Sequence, residues 1–444
     1  MIKFFLFISG IIFLMSCKND DDSYTSLLDD ELDVALFEAS NDIGKSFYLL
    51  PNETDFSNIP QDPNNIITED KVNLGKLLFH ETGLAINAKK PSGIGTYSCA
   101  SCHHSKAGFQ AGKRQGIGDG GFGFGFLGES RVFQNDYTIE NSDIQQIRSP
   151  STLNTAYQNI MLWNGQFGAT GLNQGTESQW TEGTPKAVNN LGFEGLETQA
   201  IAGMGVHRLQ VNLDVVTGLD YKLLFDNVFS EIPESNRYTN KTAGLAIAAY
   251  ERTLLTNMAP FQKWLKGNSN AMSYNEKKGA ILFFGKAQCA KCHNGPSLAL
   301  MDFSAIGMND LMGGDVFGDV TILNRKGRGG FTMNPNDDYK FKIPQLYNIK
   351  SNGSFGHGAS FTSVKEVVEY KNNAIKQNIN TPLNTLDARF YPLSLTSEEI
   401  DLIVLFIENA LHDNTLVRYV PENIFSGACF PNNDVQSKED LGCN

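Results

Sequence analysis

Apolar and polar positions along the chain recur mostly with the period of an α-helix. From Ser26 to Leu50 apolar residues return at Leu28, Leu32, Leu36, Ala39 and Ile43, which predicts a short amphipathic helix. Leu74, Leu77 and Leu78 predict a helix over Glu69 to Phe79. Similar spacing predicts helices over residues 240–257 (Ala246, Ile247, Ala249, Tyr250, Leu254) and over Asn275 to Phe284. Two more are expected at Ser363 to Asn373 and Ser397 to Leu411. The last has polar and acidic residues from Ser394 to Glu399 ahead of its apolar run, a usual start signal. Pro51 to Asn65 and the Gly/Phe-rich stretch Gly108 to Gly128 read as loops. Strand-like alternation is scarce, so the fold class is mainly α.

The first residues follow a different pattern. Lys3 precedes a short apolar run, Phe4 to Met15, that ends at Leu14-Met15-Ser16-Cys17. Its length and flanks predict a signal peptide over residues 1–16 and not a membrane span. The small residue before Cys17 makes that cysteine the expected lipid-attachment site. Residues 17–65 then read as a lipid-anchored tether, polar at Lys18 to Asp22, leading into the first helix. The protein is therefore expected in the periplasm or cell envelope, held to a membrane by its anchor. The length, 444 residues, suits two domains. A net charge of −13 argues against nucleic acid as a partner and would favour a basic protein.

Seven cysteines occur, and their placement carries the chemistry. Cys99-Ala100-Ser101-Cys102-His103 and Cys289-Ala290-Lys291-Cys292-His293 are both CxxCH. Two thiols one turn apart can add to the two vinyl groups of one porphyrin, while the adjacent imidazole reaches the iron. A zinc site would want further Cys or His, and a thioredoxin-like pair does not need His after both motifs. Two covalently bound haem c groups are thus expected, with His103 and His293 as iron ligands. The preceding segments Gly75-Lys76-Leu77-Leu78-Phe79 and Gly279-Ala280-Ile281-Leu282-Phe283 repeat as well, which predicts two cytochrome c-like haem domains in tandem. Gly116, Gly118 and Gly121 match GxGxxG by spacing. No strand precedes them and no helix follows, so a flexible or haem-wrapping loop is the better reading. Cys429 and Cys443 remain, in a polar tail, and are expected to form a disulfide.

These motifs sit in wider stretches that resemble the bacterial di-haem cytochrome c peroxidases, a group similar to the di-haem enzymes that mature the methylamine dehydrogenase cofactor. The matching stretches run from about Asn73 to Leu411. They include Ser98 to His103, Arg148-Ser149-Pro150-Ser151-Thr152-Leu153-Asn154, Leu162-Trp163-Asn164-Gly165 and Leu196-Glu197-Thr198-Gln199-Ala200. In the second half they include Lys342 to Ile349 and Phe355-Gly356-His357-Gly358. The resemblance implies reduction of hydrogen peroxide to water, with electrons from a small carrier such as a cytochrome c or copper protein. It implies a peroxidatic haem domain over 66–235, an electron-transfer haem domain over 236–412, and Trp163 between the haems. Residues 413–444 form the tail. A di-haem oxidase acting on a protein or organic substrate, and a non-enzymatic electron carrier, are the alternatives.

The chain departs from the family pattern in four places. No His occurs between Phe126 and Arg148, where the family has a haem-capping histidine. The acidic residue expected about ten positions after Gln199 is absent. His207 stands nearby and is the expected acid–base catalyst, with Arg208 beside it to stabilise departing charge and Glu129 or Glu140 as fallback carboxylates. Arg148 stands where a calcium-ligating Asn is usual, so the calcium implied by the resemblance loses a ligand. The second axial ligand of the C-terminal haem, Met or Tyr in the family, falls in register with Lys371, with Tyr370 adjacent. Of the other histidines, His104 is expected at the surface, His80 and His412 at helix ends as caps or solvated residues, and His357 as a structural hydrogen-bonding residue near the haem.

Overall fold

The computed structural model describes residues 20–443; the expected signal peptide and Cys17 lie outside the described residues. Seven helices of nine or more residues carry the fold among the described residues: α1 (Asp20–Ala39), α2 (Glu69–His80), α3 (Gly195–Val206), α4 (Asn240–Arg252), α5 (Tyr274–Phe284), α6 (Val364–Asn373) and α7 (Ser397–Leu405). Two antiparallel ladders of two residues per strand are the regular sheet, pairing Gly121–Phe122 with Val132–Phe133 and Phe303–Ser304 with Phe341–Lys342. Long loops and single 3-10 turns fill the rest, and the chain is mainly helical.

Local capping fixes where the helices begin. Thr68 accepts from Lys71 N at the start of α2. Thr239, Ser273 and Thr396 form reciprocal capping boxes at α4, α5 and α7. The first helix differs from expectation at both ends. It starts at Asp20, inside the stretch read as tether, and stops at Ala39 instead of running to Leu50. Ser40 Oγ accepts from Ile43 N and Gly44 N, and Asn41 and Asp42 take positive φ, so this polar turn diverts the chain despite the apolar period. α7 is followed by a wider π turn over Phe406–Ala410, so the predicted 397–411 helix is continuous but not uniform. α3 was not expected at all: its face pattern is blurred because Leu196, Glu197, Thr198, Ala200, Ile201 and Ala202 are all buried.

Two hydrophobic cores organise these elements. In the first, α2 crosses α4 at Gly75, where an added Cβ would lie 1.9 Å from the Ala246 carbonyl oxygen. In the second, α5 crosses α7 at Gly279, where a Cβ would lie 2.0 Å from the Leu402 carbonyl oxygen. These are the glycines of the repeated Gly-x-x-x-Phe segments, and each admits a backbone-to-backbone approach that no other residue allows. α4 packs into the first core, so that core's helices extend past the expected boundary at residue 235. α1 packs through Leu32 and Leu36 into the second core, and Leu416 and Tyr419 return the chain to the first. Among the described residues no helix is long and apolar enough to cross a membrane.

Candidate functional site: two CxxCH cavities

Each CxxCH motif forms a single 3-10 turn, Cys99–Ser101 and Cys289–Lys291, that closes back onto its histidine. His103 N donates to Cys99 O at 3.2 Å and His293 N to Cys289 O at 2.8 Å. Ser98 and Ser101 cap the first turn reciprocally. The ring of His103 holds Nδ1 at 3.2 Å from Phe109 O, and that of His293 holds Nδ1 at 3.1 Å from Pro344 O. A carbonyl at Nδ1 fixes the tautomer and leaves Nε2 as the ligating lone pair. Burial pushes both imidazoles down to about 4, so they are neutral and ready to ligate. It also pushes Cys99, Cys102 and Cys289 up to about 12, so these cysteines are thiols set in an apolar wall.

The loop of Gly116, Gly118 and Gly121 wraps the first motif. A Cβ on Gly116 would meet Cys102 Sγ at 2.8 Å, one on Gly118 Asp143 Oδ2 at 2.4 Å, and one on Gly121 Arg131 Nε at 2.3 Å. The tail covers the same turn from outside. Cys429 and Cys443 are bonded to each other. Within that loop, the Pro431 carbonyl accepts from Ser98 Oγ at 3.0 Å and from Ser101 Oγ at 3.1 Å.

The first cavity is lined by Cys99, Cys102 and His103 together with Tyr97, Asp143, Gln199, His207 and Glu251. His207 caps the C-terminus of α3, and its Nδ1 donates to Asp143 Oδ2 at 2.7 Å. The Asp143 carboxylate holds the imidazole pKa above its ordinary value. Arg208 does not join it: in a left-handed turn (φ +59°), its guanidinium pairs with the buried Asp119 and with Asn141 O, outside the cavity lining. Glu129 and Glu140 are exposed and also stand outside that lining. The expected role of Arg208 and the fallback carboxylates are thereby corrected. Glu251 is the carboxylate that sequence reasoning missed. It is 4% exposed, its Oε2 has no hydrogen-bond partner, and burial beside Glu197 pushes it up to about 8. A lone Glu on the inner face of α4 gave only that weak signal.

The second cavity is lined by Cys289, Cys292, His293, Trp163, Met308, Lys342, His357, Tyr370 and Lys371. Tyr370 Oη donates to Ile306 O at 2.5 Å and accepts from Gln377 N at 3.3 Å. Lys371 Nζ donates to Arg389 O and lies over the rings of Phe390 and Tyr391. Both side chains reach the cavity, but their polar ends are already engaged. Met308 faces the cavity with no such engagement. It lies in a loop 15 positions after His293, far in sequence from Lys371, where the family register puts the ligand, so nothing local marks it.

Trp163 lines the second cavity. Its Nε1 donates to Arg148 O at 2.8 Å, and the Arg148 guanidinium lies 5.7 Å over its ring. Two residues beyond Arg148, the Pro150 carbonyl faces His103. On the other side the ring is 6.3 Å from His357, which stacks on Phe341 at 3.6 Å and faces Asp310 Oδ1 at 3.4 Å. Arg148 is buried, donating to Gly356 O at 3.0 Å and to Gln110 Oε1. Among the described residues no group of three or more His, Cys, Asp or Glu converges as a metal site.

Two histidines differ from expectation in burial, although His80 does sit at its helix end against a last-turn carbonyl as a cap would. His104 is buried, 5% exposed, with its ring 4.9 Å from Phe124, because the loop at Gly128 folds over it. His80 is buried too, its Nδ1 at 2.8 Å from Lys76 O in the last turn of α2.

The residues present fit haem c. Each cavity sets its cysteine thiols and a ligand imidazole against apolar side chains, Phe79, Leu209 and Ile247 beside the polar groups of the first and Phe283, Ile306 and Leu346 in the second. Lys342 in the second is fully enclosed with its ammonium on Gln158 Oε1 and Ile160 O and no carboxylate beside it. Burial lowers it to about 7, and an anion such as a haem propionate beside it would favour its charged form.

The family described as di-haem cytochrome c peroxidase matches residues 69–270. The cytochrome-c peroxidase IdrP1 of Denitromonas iodatirespirans is 31% identical over 375 residues, spanning 79% of this chain and 84% of the relative. The methylamine utilization protein MauG of Methylorubrum extorquens is 28% identical over 354 residues, spanning 79% and 80%. A solved MauG-like protein associated with microbial copper homeostasis shares the fold, with a TM-score of 0.57 at 20% identity over 83% of this chain and 96% of that one. The chain belongs to the di-haem cytochrome c peroxidase family.

Proposed function

We propose that the protein reduces hydrogen peroxide to two waters, taking two protons and two electrons, the latter from a small cytochrome c or copper protein. Two cytochrome c-like domains in tandem would each hold a haem c: Cys99, Cys102 and His103 the first, Cys289, Cys292 and His293 the second. Haem, when bound, supplies the iron that polarises the peroxide and stores the electrons. The observation that carries the reading is the contrast between the two cavities, one holding an imidazole paired with a carboxylate and the other a soft, unengaged thioether.

In the first cavity His207 Nε2 takes the proton from the near peroxide oxygen and delivers it to the departing one, a transfer that needs hydrogen-bond reach and a pKa near the working pH. Gln199 offers an amide to orient the peroxide, and Glu251, held protonated near neutrality, is a proton reserve at the cavity wall. In the second cavity, Met308 would hold the iron in preference to Tyr370 and Lys371, whose polar ends are engaged, and a thioether would raise the potential of a haem that accepts electrons. Trp163 lies on the electron path. The similarity to a methylamine utilization protein favours one second reading, an oxidase acting on a protein or organic substrate. The anchor at Cys17 would hold either activity at a membrane of the cell envelope.

The test is peroxide consumption by the two-haem protein with reduced cytochrome c or a reduced copper protein as donor. Donor oxidation in a two-to-one ratio to peroxide supports the peroxidase. Rapid reaction with peroxide but no donor oxidation points to the oxidase, and irons that stay low-spin in every redox state, unaltered by peroxide, defeat both.

A further inference from the structure

We propose that Asp143 is the positioning residue for His207, so that the acid–base device of the first cavity is an Asp–His pair and not a single side chain. The proposal rests on the peroxidase reading and deepens it. Asp143 Oδ2 accepts from His207 Nδ1 at 2.7 Å, and the carboxylate side chain is only 14% exposed against 36% for the histidine. With Nδ1–H committed to a carboxylate, the imidazole has one tautomer, and its remaining lone pair is on Nε2. An unheld histidine at a helix C-terminus would turn about two dihedral angles and share its proton between two nitrogens.

The loop is shaped to hold this carboxylate in place. Asp143 N donates to Asp119 O at 2.9 Å and Gly118 N to Asp143 O at 2.9 Å, so its backbone is fastened on both sides. Gly118 leaves the space the carboxylate occupies, since a Cβ there would meet Oδ2 at 2.4 Å. The neighbouring Asp119 is not available for the same task. It is fully buried and already accepts from Lys89 N at 2.8 Å, Tyr137 Oη at 2.6 Å and Arg208. The two adjacent aspartates thus divide the work: Asp119 neutralises Arg208 and orders the loop, and Asp143 turns inward to His207.

The charged and titratable groups facing His207 are Asp143 from the loop, Arg208 next in the chain, and Tyr97, Glu251 and His103 on the cavity wall. Asp143 is the group that raises the imidazole most, while burial and Arg208 oppose it. A base acts in its neutral form, so turnover rises with pH through this titration. Removing the carboxylate moves that limb to lower pH and also frees the ring, so the plateau falls. A merely structural ion pair would lower stability without shifting the limb.

The experiment compares wild type, Asp143→Asn, His207→Ala and the double variant, each checked for two covalent haems by its haemochrome spectrum. Peroxide turnover is followed against pH, and fluoride binding to the ferric protein, which takes up a proton at the distal base, is followed in the Soret band. His207→Ala is expected to lose ~100-fold or more of turnover and Asp143→Asn at least ~10-fold. Asp143→Asn should carry its acid limb downward in pH and weaken fluoride binding, and the double variant should be no worse than His207→Ala alone. If Asp143→Asn does not mature with both haems, Gly118→Ala, which crowds the carboxylate and keeps every charge, carries the same expectations. A loss in His207→Ala with a wild-type limb and fluoride affinity in Asp143→Asn overturns the pairing and leaves the peroxidase reading standing, as do additive losses in the double variant. No loss in His207→Ala removes the acid–base assignment itself.

Discussion

Gly75 and Gly279 offer a test of the fold at the two places where it is tightest. In Gly75→Ala the new Cβ would stand 1.9 Å from Ala246 O, 2.5 Å from its carbonyl carbon and 2.9 Å from Tyr250 Cβ. Ordinary carbon–oxygen contacts begin near ~3.3 Å, so α2 and α4 must separate by more than about 1 Å. The atoms in the way are backbone, which cannot rotate aside. Separation strips contacts from Leu74, Leu78 and Phe79, each 0–1% exposed, and a radial gap of that size forfeits a quarter to a half of each contact's attraction. Overpacking of this kind costs about 1–3 kcal/mol, and the gain from replacing a helical glycine returns only about 0.5–1 kcal/mol. We expect a net loss of about 1–2 kcal/mol for Gly75→Ala, and the same for Gly279→Ala, whose Cβ would lie 2.0 Å from Leu402 O and 3.0 Å from Phe406 Cβ. Gly205→Ala is the control. It is helical and exposed, and nothing lies within 4 Å of its Cβ, so it should be neutral or stabilising by up to ~0.5–1 kcal/mol. Denaturant titration of the two-haem protein by circular dichroism, with Soret absorption in parallel, reads all three. Equal midpoints for Gly75→Ala and Gly205→Ala would refute the close crossing.

Three further outcomes are expected. Met308→Leu should abolish the low-spin signature of the C-terminal haem and lower its potential, while Tyr370→Phe and Lys371→Ala leave both unchanged; electron paramagnetic resonance decides, and the reverse pattern restores the oxygen or nitrogen ligand. Trp163→Phe should keep both haems and lose the indole bond to Arg148 O, costing about 0.5–1.5 kcal/mol. It should also slow electron passage between the haems in stopped-flow re-oxidation, and an unchanged rate would take the indole off the path. Replacing Cys429 and Cys443 together by Ser should cost about 3 kcal/mol for a loop of this size and loosen the tail over Ser98 and Ser101. Thiol labelling of the unreduced wild type should find neither cysteine free.

What the sequence made legible was set by short-range chemistry. The CxxCH turns, the capped helices and the repeated glycine–phenylalanine segments each depend on residues within a turn or two of one another, and such patterns survive in one dimension. α3 did not, because a helix buried around most of its circumference has no polar stripe to count. α1 overran its expected start and fell short of its expected end for a related reason. Apolar period alone cannot see that Ser40 hydrogen-bonds the chain out of the helix. In the candidate site, the sequence placed His207 and Trp163 by resemblance, yet not what they touch. Asp143 is 64 positions from His207 and Arg148 is 15 from Trp163. Nothing local to Met308 or Glu251 marks a thioether or a carboxyl group as facing a cavity.

The asymmetry of the two cavities follows from how each manages charge. The first gathers groups that exchange protons: an imidazole raised by its carboxylate and a carboxyl group raised by burial to about 8. Both shifts run upward, and groups perturbed in this way beside one another suit the proton transfers of the proposed peroxidase reaction. The second gathers a thioether, a phenol bonded to a carbonyl, and an enclosed lysine with no carboxylate beside it, which burial brings down to about 7. Trp163, lining the second cavity, offers an indole bonded to a backbone carbonyl and faced by a buried guanidinium, with no acid within its hydrogen bonds. On the proposed peroxidase reading, proton chemistry belongs to the cavity that holds His207, and the second cavity serves electrons.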